Sequence, residues 1–397
     1  MFGLSALECF IAIIVIYIVV YWITPRKMNW IPFILVTVLL SVLAYKFVPN
    51  ETDDLSRYYM QLDYLREYGM NYLRRCFDLG INDWDTYRVC GYYFYFISRL
   101  PNNHWMPAIT IFLCYGLAFL IFYKAANHFD VSKLYVFLGS MFFLSTYFYY
   151  DTVSGIRNGL AFAVVLACAY YHLVERKNIL LCCVGYVLAC LLHSAAVMPV
   201  AFVILTVITL NTSGKVMKYG LIFGITIGGF LLNYLGENSS NGFIQSIAGK
   251  AEANGLGSLY TDTNFIVNIV TFAVVSIVVL YVSFYILKGE YAQDLKRFYK
   301  YSSIIVYFMF GSILSTMIFL RFARWIAPVL GAVLFMIGME IQNKQIKRNT
   351  PQYYYNASFP ERARYQTKGV FMLFYFAYIC VHFWYLVNGS SLVWIHF

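Results

Sequence analysis

Residues 4–23 read LSALECFIAIIVIYIVVYWI, and apolar runs of this kind recur to the end of the chain. Runs so continuous leave no polar face for water, so the helices they form must be covered on every side. A hydrocarbon layer ~30 Å thick takes about 20 such residues per helix, and on that ruler roughly twelve spans are expected. They fall near 4–23, 30–48, 106–123, 134–150, 158–174, 179–192, 195–210, 218–235, 264–287, 301–320, 325–341 and 369–387. The expectation is an all-α, polytopic integral membrane protein, one transmembrane domain over 1–397. Only 12% of the residues are charged, about half the share of a soluble protein. Residues 179–210 strain the ruler, being long for one helix and short for two. LLHSAAVMP, with His193 and Pro199, predicts a break there between two helices.

The first run has no basic segment before it, no small-x-small cleavage site, and Arg26 and Lys27 directly after it. It reads as a retained helix with the N-terminus outside, and an even number of spans puts the C-terminus outside as well. The loops then expected inside carry Arg26, Lys27, Lys124, Lys133, Arg176, Lys177, Lys215 and Lys218, and the basic stretches 288–300 and 344–368. The net charge of +10 is therefore the positive-inside signal, satisfied by the lipid bilayer without a nucleic acid. The nine cysteines lie mostly within apolar runs and show no metal-ligand spacing, so no metal and no cofactor is expected. Cys76 and Cys90 share an outer loop where an oxidising compartment permits pairing.

Three connections are long enough to do more than connect: 50–104 outside, 237–263 outside and 342–368 inside. The inner one is basic and suits anionic headgroups. The second is rich in Gly, Ser and Asn and suits a cover over an outer site. In the first, YYMQLDYLREYGMNYLRRCF places Leu62, Leu65, Tyr72 and Cys76 near helical spacing, which predicts an amphipathic helix on the outer surface. Aromatic clusters GYYFYF and YFYYD lie near the expected outer interface. They serve as a membrane aromatic belt, and sugar rings also stack on such faces.

Against this apolar background a few charges stand out. Arg157 opens the fifth expected span beside the stripe Gly155, Gly159, Ala163, Ala167, which suits close helix packing. Two residues from Gly155 it is turned ~200° away from that stripe. It therefore faces lipid, by snorkelling, or a cavity, and a charge facing lipid is penalised. His193 closes the next expected span at the same outer level, across one hairpin. Arg321 and Arg324, in FLRFARWIAP, are three apart on one helical face and lie outside against the positive-inside trend. Guanidinium forks suit phosphate, while Asp53, Asp54 or Asp151 are possible ion-pair partners. ETDDLSRYY opens the large loop with Asp53, Asp54 and Arg57 in one helical turn. These form a solvated face with an Asp53–Arg57 pair, or a carboxylate that orients or deprotonates a sugar hydroxyl or holds a divalent ion. Cations gathered on the outer face fit a multiply anionic ligand reached from the membrane, such as a lipid pyrophosphate.

The segment SGIRNGLAFAVVLACAYYHLVERKNILLCCVGYVLACLLHSAAVMP resembles the EpsG/Wzy-type polysaccharide polymerases of bacterial envelopes. Their pattern is an arginine opening a small-residue helix, a short basic turn, and a helix ending in His-Ser-small with a proline beyond it. Arg157, His193, Ser194 and Pro199 fall on it, while RFARW and DDLSRYY match less specifically. The resemblance implies a GT-C-like membrane glycosyltransferase architecture in the bacterial inner (plasma) membrane. It implies transfer of a growing glycan from undecaprenyl pyrophosphate to the non-reducing end of a lipid-linked repeat unit on the outer face. A chain-length regulator and a flippase of the same pathway would be partners. In that chemistry Arg157, Arg321 and Arg324 neutralise the departing pyrophosphate. His193 is the first candidate for the proton of the attacking hydroxyl, with Asp53 or Asp54 next. Arg57 and Asp151 are further candidates for binding substrate. Two other functions stay open: a GT-C-type enzyme that adds single sugars through Asp53 and Asp54, and a flippase or transporter of the lipid-linked glycan.

Overall fold

The computed structural model describes residues 5–51, 53–210, 218–224, 227, 234, 263–285, 293–348 and 359–389. The segment 237–263 lies almost wholly outside the described residues, as do half of the run 218–235 and residues 349–358 of the basic loop. Among the described residues the regular elements are helices. The first ten are α1 (Ala6–Ile23), α2 (Trp30–Tyr45), α3 (Asp54–Leu79), α4 (Arg88–Ser98), α5 (Trp105–His128), α6 (Lys133–Thr146), α7 (Tyr149–Ser154), α8 (Ile156–Tyr170), α9 (Ile179–Leu192) and α10 (Val197–Ile208). The others are α11 (Thr263–Tyr285), α12 (Gln293–Ser312), α13 (Thr316–Trp325), α14 (Ala327–Arg348) and α15 (Phe359–Gly389).

Six of them are long and apolar enough to cross a membrane: Ala6–Ile23, Arg26–Tyr45, Trp105–His128, Ile156–Glu175, Phe265–Ser283 and Thr367–Val387. A seventh crossing arises if Thr316–Trp325 and Ala327–Gln345, bent by 43° at their junction, act as one span. Among the described residues six or seven candidate spans stand against the roughly twelve expected over the whole chain, and local breaks account for part of the difference. The run 134–150 stops at Thr146 because Tyr147 is extended (φ −82°, ψ 101°). The two halves of 179–210 separate where His193 is extended (φ −159°, ψ 133°), and each half is short of the ~20-residue ruler. The run 301–320 is cut between Ser312 and Thr316. The break at His193 falls where the sequence predicts it, whereas counting apolar residues measures hydrophobic length and is blind to those at Tyr147 and Ser312–Thr316.

The chain divides into two compact units, Met1–Val200 with Gln352–Phe397, and Ala201–Pro351. In the first, α1, α2, α5, α8 and α9 pack in that succession. Ser5 and Glu8 form a capping box that starts α1. Tyr17 hydrogen-bonds Ser140 at 2.6 Å, and Phe33 stacks on Phe119 at 4.8 Å. Phe142 of α6 stacks on Tyr375 of α15 at 4.9 Å. The close approach that small residues permit lies between α8 and α9, where a Cβ on Gly185 would stand 2.3 Å from the Cys168 sulfur. A π-helical turn over Tyr171–Glu175 ends α8, and Arg176 and Asn178, both left-handed, reverse the chain into α9.

The 50–104 loop holds the amphipathic helix expected, but its apolar face closes on α4 of the same loop. Leu55, Tyr58, Leu62, Leu65, Leu73 and Cys76 are buried. Gly69 (φ 64°) kinks α3 and shifts its phase, so that Leu73 takes the inward place expected of Tyr72. A Cβ on Gly91 of α4 would meet the Phe77 ring at 2.8 Å, so the two helices touch at that glycine. Cys76 and Cys90 are both buried as free thiols.

In the second unit α11 packs on α14, and α13 touches α11 through Phe272–Phe319 and α12 through Phe308–Phe322, with ring centroids at 5.6 and 4.7 Å. Tyr281 donates to Gln342 at 2.6 Å. Gly311 of α12 approaches backbone directly, since a Cβ there would lie 2.3 Å from the Leu221 carbonyl oxygen.

Candidate functional site

The site residues of the first unit gather because five helix ends meet: the starts of α3, α4 and α8, the short α7, and the end of α9. Gly155, with φ −87° and ψ 45°, breaks the chain between α7 and α8, so α8 begins at Ile156 with no side-chain cap. Arg157 is thus the second residue of a helix whose first amide hydrogens have no helical acceptor. It is half-buried. Its Nε donates to the Tyr58 hydroxyl at 3.2 Å, and its guanidinium lies 5.5 Å from the centre of the Tyr58 ring. Among the described residues no carboxylate comes within ion-pairing distance of it. Burial pushes the Tyr58 hydroxyl above its usual range, with the Arg157 charge opposing. Burial likewise pushes the Cys90 thiol up to about 12, again opposed by Arg157, so both neighbours stay neutral around the cation.

At the head of α3 the carboxylates pair otherwise than expected. Arg57 binds Asp54, in place of the Asp53–Arg57 pair. Asp53 accepts from the Tyr150 hydroxyl at 2.7 Å and from the Asn50 amide at 2.9 Å. Burial, with Asp53 and Asp151 adding, raises Tyr150 to about 12, so it remains a donor throughout the physiological range. Asp53 therefore ties α7 to α3, and Asp54 is the carboxylate whose charge reaches Tyr58. Asp151 follows Tyr150 on α7, half-buried.

His193 ends α9 in extended backbone, and its Nδ1 accepts the Ala195 amide hydrogen at 3.1 Å. The ring lies parallel to Tyr87, 9° between planes and 6.1 Å between centroids. Tyr87 immediately precedes α4, and Cys90 lies one turn further on. The first turn of α4 thus reaches His193 through Tyr87 and the Arg157 cation through Cys90. Arg321 and Arg324 belong to the second unit, on α13, both half-buried, with Arg324 in the last turn. Among the described residues no group of three His, Cys, Asp or Glu side chains is placed to hold a metal.

Sequence reasoning missed Tyr58, Tyr87, Cys90 and Tyr150. Tyr58 had a signal, since it stands four residues after Asp54 and shares its helical face. His382, buried on α15 against Phe148 and Tyr378, had none beyond being a lone histidine in an apolar run.

Helices long and apolar enough to cross a membrane, and a helix pair of the 50–104 loop set against a half-buried cation, define the class: an all-helical integral membrane protein with a cationic site. The model of the EpsG family matches residues 29–355, and the chain belongs to that family. No curated protein and no solved structure matches it significantly.

Proposed function

We propose that the chain is a glycosyltransferase that polymerises polysaccharide at the outer face of the bacterial inner membrane. It would move a growing glycan from undecaprenyl pyrophosphate to the non-reducing end of a lipid-linked repeat unit. EpsG family membership supports a polymerase-like function. The observation that carries the reading is Arg157, a cation at the positive end of a helix with no carboxylate within ion-pairing distance among the described residues, Asp54 acting on it from further off. Such a place favours an anion, because helix amides and guanidinium then act together. A pyrophosphate is the leaving group in this reaction, and its charge grows as the bond to the anomeric carbon breaks. Arg157 meets that charge, with Tyr58 fixing the plane of the guanidinium through Nε.

The acceptor hydroxyl attacks the anomeric carbon, the bond to the pyrophosphate oxygen breaks, and the hydroxyl proton passes to Asp54. Asp53 positions α7 and α3, and Arg57 orients Asp54. His193 changes role from the base expected. Its Nδ1 lone pair is committed to the Ala195 amide, so the neutral ring carries its hydrogen on Nε2 and offers a donor to substrate oxygen. Arg321 and Asp151 are proposed to bind substrate polar groups. A GT-C-like use of the outer loop, N- and C-termini outside, and a flippase and chain-length regulator as partners belong to the same proposal.

The test runs surface polysaccharide from cells carrying Arg157→Ala on a gel. A polymerase defect leaves single repeat units and no ladder, whereas a flippase defect leaves neither at the surface. An intact ladder, with the variant present in the membrane, would sink the proposal.

A further inference from the structure

A second site lies between α2 and α5, where an outward-facing apolar groove of about 400 Å³ is lined by Trp30, Ile34, Thr37, Phe112, Gly116 and Tyr123. Ile34 and Phe112 are 52% and 45% exposed, so the slot opens sideways. The Thr37 hydroxyl is spent on the Phe33 carbonyl at 2.7 Å, and apart from the Trp30 and Tyr123 ring ends the lining is apolar. The occupant's buried part is therefore hydrocarbon.

The register of the two helices says what stands at the mouth. Tyr45 meets Trp105, Ser41 donates to the Ala108 carbonyl, and Phe33 stacks on Phe119, so the helices run antiparallel. One step beyond Trp30 and Tyr123, that register places Lys27 and Lys124 at the same end. Arg26 is taken by Asp130 at 2.5 Å, but among the described residues neither lysine has a carboxylate within ion-pairing distance. Trp30 and Tyr123 are the aromatic types that settle at a headgroup level.

This end is the far one from Arg157. Tyr149, just before α8, donates to the Leu40 carbonyl in the last turns of α2, while Lys124 lies 5.6 Å over Tyr171, just after α8. A lipid whose phosphates rest at Arg157 therefore has its headgroup at the opposite membrane face. We infer that the α2–α5 groove holds an acyl chain of a phospholipid of the other leaflet, with its anionic headgroup on Lys27 and Lys124.

The purified full-length protein, delipidated in detergent, is titrated with phosphatidylglycerol or phosphatidylcholine and bound lipid is counted by native mass spectrometry. Phosphatidylglycerol should be retained about tenfold or more over phosphatidylcholine. Lys27→Gln with Lys124→Gln should bring the two level. Gly116→Leu should reduce both, because a Cβ there makes only ordinary contact with Thr37 at 3.7 Å and the rest of the side chain enters the groove. Thermal melts check that each variant is folded, and the lysine variant alone suffices if Gly116→Leu is not. Equal retention of both lipids by the wild type, or a preference that survives loss of the lysines, overturns the inference. So does displacement of phosphatidylglycerol by lower concentrations of undecaprenyl phosphate, which would make the slot a seat for the substrate tail.

Discussion

Arg157 and Arg324 stand at opposite ends of their helices, and the difference sets the cation proposed to meet the ligand apart from one that its own helix stabilises. Arg157 is the second residue of α8, where the peptide dipoles already leave positive charge. Arg324 is in the last turn of α13, where they leave negative charge. An exposed cation gains roughly 0.3–1 kcal/mol at the second place and loses a similar amount at the first. The helix end thus helps to hold Arg324, whereas at Arg157 the helix end opposes the charge and the Tyr58 ring and hydroxyl offset it. An incoming anion reverses that sign at Arg157, and this is the physical reason to place the pyrophosphate there.

The contrast is broken most directly at Arg157. Removal of a preorganised cation from the charge-developing centre should cost about 100- to 1,000-fold in polymer formation, measured in vitro on lipid-linked repeat units. Arg157→Lys should recover little, since a point charge cannot both donate to Tyr58 and meet a phosphate edge. If Arg324→Ala stops polymerisation and Arg157→Ala does not, the comparison is inverted.

His193 sharpens the same picture, because a donor and a base respond differently to amide substitutes. Gln places an N–H near Nε2, and His193→Gln should stay within about tenfold of wild type. His193→Asn reaches only the Nδ1 place and should fall about 100-fold. Two inactive, folded variants would restore the base; two active ones would remove His193 from the chemistry. Tyr58→Phe keeps the ring and loses only the bond to Arg157 Nε. It should lower the rate about 2- to 10-fold without lowering the melting temperature by much.

How far the sequence carried these assignments varies with the physics involved. Helical class and membrane setting follow from run length alone, as α1, α5 and α11 show. The packing of the helix that Arg157 opens on the helix that His193 ends was legible because a single hairpin with one short turn joins them. The partners of Asp53 were not, since Tyr150 lies 97 residues away in sequence and only the fold of the large loop brings them together. The kink at Gly69 and the breaks at Tyr147 and Ser312–Ser315 were hidden because composition does not report where a helix loses its register.

The second unit offers a packing control. Any side chain at Gly311 must displace the carbonyls of Leu221 and Ile222, which a Cβ would meet at 2.3 and 2.6 Å. Gly311→Ala should therefore cost about 1–3 kcal/mol in stability, read as a lower melting temperature in detergent. An unchanged melting temperature would mean that the α12 backbone contact is dispensable.

The smallest effect is expected at Arg324. Its place in the last turn of α13 gives it a helix-dipole stabilisation of about 0.3–1 kcal/mol, so Arg324→Ala should shift the melting temperature slightly and leave the polysaccharide ladder nearly intact. Arg321→Ala, three residues earlier and outside that last turn, is the internal control: it draws less on the dipole, so any loss of ladder there reports on ligand. A ladder lost in Arg324→Ala at unchanged stability would show that a cation favoured by its helix can still be held for substrate, and the electrostatic criterion that singles out Arg157 would then have no discriminating power.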